Sequence, residues 1–223
     1  MQLFDSLTAE QQSLIKRHLE LVIEANKITN LTRIDTIEEA MVLHVEDSLS
    51  GLKELEEAPD GPYGDLGSGA GFPGVPLSIA TGRQTTLIDS RQKKMVILDG
   101  IISELGLSSR ISTFAGRAEL LARTQTEQYA VLTARALAKL SVLMELASPL
   151  LKKEGRLICY KANLDDSELA HARQVQKTTG MKFQSERDFQ LGDYSRKIIV
   201  FEKVSAPTVR LPRQEGQAQK KPL

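Results

Sequence analysis

The chain has 223 residues, 41% hydrophobic and 26% charged, an ordinary balance for a globular protein with room for one full α/β domain and extra helices. No run approaches the roughly 18 apolar residues of a membrane span, and no basic-then-apolar leader opens the chain, so a cytoplasmic protein without membrane contact is expected. A lone Cys159 excludes an internal disulfide, and a net charge of zero excludes a polycation. The charge is nonetheless uneven: residues 1–60 carry net −8, residues 61–204 net +5 and residues 205–223 net +3. A nucleic-acid partner would therefore meet a local basic face and tail.

Leu14/Ile15, His18, Leu21/Val22, Ala25 and Ile28 recur at helical spacing and predict an amphipathic helix over 8–28, opened by Thr8 and Gln11 in capping-box positions. His18 lies inside that apolar stripe and reads as a core or boundary residue. Asn30-Leu31-Thr32 interrupts the pattern, and a second helix is expected from Asp35 or Thr36 past Asp47. The breaker cluster Pro59-Asp60-Gly61-Pro62 divides a helical segment, 1–60, from an α/β core, 61–204. Strand-like runs near 63–66, 84–88, 111–115, 129–134 and 155–161 alternate with helical patterns, which predicts a parallel sheet with right-handed crossovers. After a helix near 165–177, strands at 181–190 and 195–204 are joined through Leu191-Gly192-Asp193 and so run antiparallel. The expected fold is α/β and Rossmann-like: a seven-stranded, mainly parallel sheet ending in one reversed strand, as in class I methyltransferases, with added N-terminal helices. Residues 205–223 are polar and basic and are expected to form a flexible tail.

Asp65-Leu66-Gly67-Ser68-Gly69-Ala70-Gly71-Phe72-Pro73-Gly74 follows the first strand and opens a helix. Asp89 closes the next strand, at a separation suited to the ribose hydroxyls of a bound nucleoside. Residues 69–74 also satisfy the dinucleotide pattern, so glycines alone do not separate NAD from S-adenosylmethionine. Asp65 does help. A carboxylate there would repel a pyrophosphate at the helix N-terminus but suits the amino end of S-adenosylmethionine. Pro73 suits the first turn of the following helix. The short stretch after the fifth strand leaves no room for a dehydrogenase substrate domain.

Radical chemistry would need several cysteines, and Cys159 sits in an apolar strand, where an inert thiol is expected. Exocyclic-amine methylation usually shows Asn or Asp, then Pro-Pro and an aromatic, where this chain has Thr133-Ala134-Arg135-Ala136. His18, His44 and His171 are scattered, so no metal is expected. A nucleophile with a free lone pair, such as guanine N7, needs no general base, and an Arg near the site would hold guanine O6 or a phosphate. An NAD-dependent oxidoreductase and a non-catalytic rRNA-binding assembly factor remain as alternatives.

In order and spacing, Asn30-Leu31-Thr32, His44-Val45-Glu46-Asp47-Ser48-Leu49, Asp65 to Pro76, Asp89-Ser90 with Lys93-Lys94, Arg117-Ala118-Glu119, Ala134-Arg135-Ala136 and Tyr160-Lys161 resemble the RsmG family, also called glucose-inhibited division protein B. The resemblance spans nearly the whole chain. It implies an S-adenosylmethionine-dependent methyltransferase acting on guanine N7 in the 530 loop of 16S rRNA in the small ribosomal subunit. Asp65, Gly67, Gly69, Gly71, Phe72, Asp89, Ala118, Glu119 and Arg135 would then bind cofactor, with Arg135 catalytic, facing cofactor and incoming base. His44, Asp47, Arg91, Lys93, Lys94, Lys161, Arg213, Lys220 and Lys221 would contact RNA. A monomer without DNA or membrane partners is expected. Ala25, Ala162 and Arg213-Gln214 depart from the family pattern.

Overall fold

The computed structural model describes residues 3–223; Met1 and Gln2, at the head of the expected helical segment, lie outside the described residues. Helix α1 (Ala9–Asn26) begins as its spacing predicts, with Thr8 Oγ1 accepting from the Gln11 N–H and Gln11 Oε1 accepting from the Thr8 N–H. The second expected helix runs as α2 (Ile37–Ala40), a π-helical stretch Met41–Glu46 and α3 (Asp47–Leu49), followed by α4 (Leu52–Glu56). The wide π turn carries His44, and such turns recur at functional sites.

Seven strands follow: β1 (Tyr63–Leu66), β2 (Thr85–Asp89), β3 (Ile111–Ala115), β4 (Tyr129–Arg135), β5 (Leu151–Lys161), β6 (Met181–Leu191) and β7 (Tyr194–Lys203). The sheet order is β3-β2-β1-β4-β5-β7-β6. The first five strands pair in parallel, and β7 is antiparallel to both β5 and β6. The reversed strand is therefore last along the chain but not at the sheet edge, because the turn after Leu191 brings the chain back between β5 and β6. β5 also starts earlier than its apolar run suggests. Leu151 pairs with Tyr129 and Arg156 with Val131, so the charged stretch between them bulges outward.

The intervening helices are α5 (Gly74–Thr81), α6 (Gln92–Glu104), α7 (Ala118–Leu121), α8 (Leu140–Ala147), α9 (Asp166–Gln174) and α10 (Gln176–Thr179), and α11 (Gln217–Lys220) closes the chain. α1, α5 and α6 bury Ile15, Val75, Leu98 and Ile101 in one apolar layer with Leu87. α8 buries Leu140 and Leu143 in another with Leu132 and Ile88. Neighbours Leu87 and Ile88 serve different layers, as the pleat requires. Pro73 precedes α5 by one residue rather than lying in its first turn; either position spares its missing N–H.

Arg83 ties the helical segment to the core. Its guanidinium donates to the carbonyls of Leu55 (3.1 Å), Ala58 (3.0 Å), Pro59 (2.8 Å) and Gly61 (3.3 Å), satisfying acceptors at the end of α4 and in the loop beyond. Tyr160 Oη on β5 donates to Ser48 O at 2.7 Å.

Residues 205–223, expected as a flexible tail, are packed instead. Arg213 Nε and Nη2 each reach the buried Glu145 carboxylate at 2.5 Å, the Gly216 N–H donates to Glu119 Oε1 at 2.8 Å, and Ala218 is buried. Buried carboxylates require partners, and this segment supplies them. Among the described residues, no helix is long and apolar enough to cross a membrane.

Candidate cofactor cleft and acceptor cavity

Beyond β1 the chain turns through Gly67 and Gly69 at φ +74° and +57°, a region that strains other residues. An added Cβ at Gly69 would meet only Gly67 O, at 3.9 Å, so this loop leaves its backbone approachable. Asp89, at the tip of β2, fixes the loop: Oδ2 accepts from the Gly69 N–H at 3.1 Å and Oδ1 from the Arg91 N–H at 2.8 Å. The result is a cleft of about 420 Å³ with Gly67, Gly69, Phe72, Asp89, Ala118 and Arg135 among its walls. It lies beyond the carboxyl ends of parallel strands, the ordinary ligand position in such sheets.

Asp65 and Gly71 are not on those walls. Asp65 is fully buried behind the loop, where it accepts from the Gly74 N–H at 3.0 Å and from Thr133 Oγ1 at 2.7 Å. Burial pushes its carboxyl up to about 6, opposed by those two donors. It braces α5 against β4 rather than touching a ligand. Gly71 faces the core, where an added Cβ would lie 3.0 Å from His18 Nε2. His18 is buried as expected, with Nε2 3.1 Å from Ala70 O, and burial pushes its pKa down to about 3. Its Nδ1 has no partner among the described residues. Glu119 borders the cleft, but its carboxylate is taken by the Gly216 N–H.

Arg135 ends β4 and separates two spaces. Its Nη1 donates to Leu43 O at 3.1 Å and to Asp47 Oδ2 at 2.6 Å, and Nη2 lies 3.4 Å from His44 Nδ1. The next residue, Ala136, has φ +52°, an uncommon conformation for a residue with a Cβ. His44 stacks on Phe72 at 4.6 Å between ring centroids, and its Nε2 lies 2.8 Å from Thr32 Oγ1. Burial first, and then the neighbouring Arg135, push His44 down to about 4, so it is neutral near pH 7. On the far side of Arg135 is a second cavity of about 520 Å³, which shares His44, Arg135 and Ala136 and adds Asp47, Phe189 and Arg196. Arg196 Nε reaches Asp47 Oδ1 at 3.2 Å, so one carboxylate holds both arginines.

The expected RNA contacts fall into distinct groups. Arg91 and Lys94 border both the cofactor cleft and a groove that also holds Lys27 and Arg33; Lys93, on the same turn of α6, is exposed. Lys94 Nζ donates to Leu31 O at 2.6 Å, closing one side. Lys161 borders the second cavity but is paired with Glu168 at 2.5 Å. Arg213 is engaged by Glu145 and donates to Lys221 O at 2.8 Å, while Lys220 and Lys221 are exposed. Lys27, Arg33, Phe189 and Arg196 were not singled out by sequence. Only Arg33, beside Asn30-Leu31-Thr32, carried a local cue; Arg196 meets Asp47 from the far end of the chain.

The family model GidB, described as rRNA small subunit methyltransferase G, matches residues 11–198. The chain belongs to this family. Relatives bearing the name Ribosomal RNA small subunit methyltransferase G include one from Limosilactobacillus reuteri, 36% identical over 98% of this chain and 93% of its own length. Another, from Nostoc punctiforme, is 36% identical over 97% of this chain and 92% of its own. Among solved structures, the YcgJ protein of Bacillus subtilis matches with a TM-score of 0.60 at 12% identity, covering 73% of this chain and all (100%) of that one. A geranyl diphosphate methyltransferase in complex with SAM matches with a TM-score of 0.54 at 12% identity, covering 70% and 85%. These structural likenesses establish the class I methyltransferase fold that the strand pattern predicts.

Proposed function

We propose that this member of the family transfers a methyl group from S-adenosylmethionine to N7 of a guanine in the 530 loop of 16S rRNA, acting as a cytoplasmic monomer on the small subunit. One observation carries the reading: Arg135 stands between the nucleoside-type cleft and a second cavity, and among the described residues no side chain is poised to take a proton there. His44 is a poor base at about 4, and Asp47 is already held by Arg135 and Arg196. An acceptor that needed deprotonation would find no partner. Guanine N7 needs none.

The residues of the cleft fit the cofactor. Gly69 leaves open backbone, Asp89 presents a fixed carboxylate to ribose hydroxyls, and Phe72 with His44 forms a flat wall. Bound S-adenosylmethionine supplies the electrophilic methyl on sulfur. Arg135 orients the incoming base through O6, and Asp47 holds the Arg135 guanidinium in place for that contact. Thr32 and Arg135 hold the His44 ring from both nitrogens, which keeps the partition between the two spaces in one orientation. Arg91, Lys94 and Arg33 line a groove suited to the flanking phosphates. Mass mapping of rRNA from cells with and without the protein tests this: one N7-methylated guanine should disappear, and an unchanged map would refute it.

A further inference from the structure

Glu119 and Glu145 are both nearly inaccessible, at 3% and 2% exposure, and both find their partners in the terminal segment. Gly216 supplies an N–H to Glu119, and Arg213 supplies a bidentate guanidinium to Glu145. His171 adds a third anchor, with Nε2 2.8 Å from Leu223 O. Between these anchors α11 buries Ala218 and brings Gln219 to the rim of the cofactor cleft, beside Gly116, Ala118 and Glu119. That rim lies past Asp89, beyond β3, where the base must fall once Asp89 holds the sugar. Glu119 Oε1 is committed to Gly216 and Ser90 offers a single hydroxyl, whereas the exposed carboxamide of Gln219 carries a donor and an acceptor on separate atoms of one plane. Adenine presents N1 and its 6-amino group side by side, an acceptor and a donor that one carboxamide matches, just as Gln and Asn match the N7 and 6-amino pair of adenine in the major groove.

We propose that residues 212–223 form a strap that completes the nucleoside end of the cleft, and that the Gln219 carboxamide reads the adenine edge. The inference rests on the cleft being an S-adenosylmethionine site. It turns a segment with the composition of a loose tail into part of the binding pocket. Ligand and strap then stabilise each other, since the strap is ordered by contacts on one side and by the base on the other.

Calorimetry on the full chain tests it, using S-adenosylhomocysteine and its analogue with hydrogen in place of the 6-amino group. The unmodified protein should prefer the amino form by roughly fivefold, the scale of one hydrogen bond. Gln219→Ala should bind the amino form several-fold more weakly and bind the two ligands within about twofold of each other. Arg213→Gln should also weaken S-adenosylhomocysteine binding, and the ligand should slow tryptic cleavage after Lys220 in the unmodified chain. Gln219 is exposed, so its replacement leaves the fold intact, and thermal melting checks this. A Gln219→Ala protein that keeps the original affinity and preference overturns the proposal while leaving the methyltransferase reading in place. Equal loss for both ligands overturns the reading of the adenine edge. Failure of the unmodified protein to bind either ligand overturns the cofactor assignment as well.

Discussion

Asp89 and Arg135 line one cleft from strands on either side of β1 and should separate in their kinetics. Asp89 is fixed by two backbone N–H groups; if it holds the sugar as proposed, Asp89→Ala should weaken S-adenosylhomocysteine binding by about tenfold to a hundredfold. Arg135→Ala should leave that affinity within a few-fold and cut single-turnover methyl transfer by roughly a hundredfold, the usual scale for one lost electrostatic contact at the reacting group. Normal turnover by the Arg135 variant would remove the residue from the reaction. His18 offers a test of a different kind. Its pKa is near 3 when folded and 6.5 when exposed, so between these values the unfolded chain holds a proton that the folded chain refuses. Stability should therefore rise with pH across that window, with His18 contributing about 1.4 kcal/mol per pH unit. Asp65, raised from 3.8 to about 6, works in the opposite direction between those values and offsets much of the histidine's slope there. Comparing urea melts at stepped pH isolates the histidine: His18→Gln, which can still donate to Ala70 O, should lower the slope by about one proton.

The elements divide according to how local their causes are. The strands of the parallel sheet were legible because short apolar runs between helical patterns have few other uses, and the glycine loop because its spacing is dense and placed after a strand. Long-range partners were not legible. Asp65 looked like a ligand contact because its position matches the cofactor motif, yet Thr133 and Gly74 claim its carboxylate from behind. Likewise, the strap has few apolar residues, and its anchors Glu119 and Glu145 lie far back along the chain, so its composition reads as disorder. The second cavity depends on Phe189 and Arg196 from the β6–β7 pair meeting His44 and Asp47 from the N-terminal helices, a juxtaposition no window of sequence contains. At this scale Arg213→Ala should cost about 3 kcal/mol or more, because it strands a buried carboxylate, and its effect should show as a lower denaturant midpoint. Doubling the change as Arg213→Ala with Glu145→Gln should recover part of the loss.

On the whole molecule, a neutral total hides a groove lined by Lys27 and Arg33, from the net-acidic 1–60 segment, and by Arg91 and Lys94 of the core. RNA affinity should fall as salt rises, and Arg33→Ala or Arg91→Ala should each lower the slope of log affinity against log salt by about 0.7 to 1 while leaving cofactor binding unchanged at Arg33. A slope that ignores both changes would move the RNA path elsewhere.

The four carbonyls gathered by Arg83 bear on how the chain could be dissected. Trypsin must draw an arginine side chain into a deep acidic slot before it cleaves, and this one is already spoken for. The Arg83–Gln84 bond should survive in the native state long after exposed lysines are nicked, and severing the loop at 59–62 should leave two fragments that travel together on a sizing column. Anyone hoping to graft the catalytic half onto another scaffold would need to carry the preceding helices along with it.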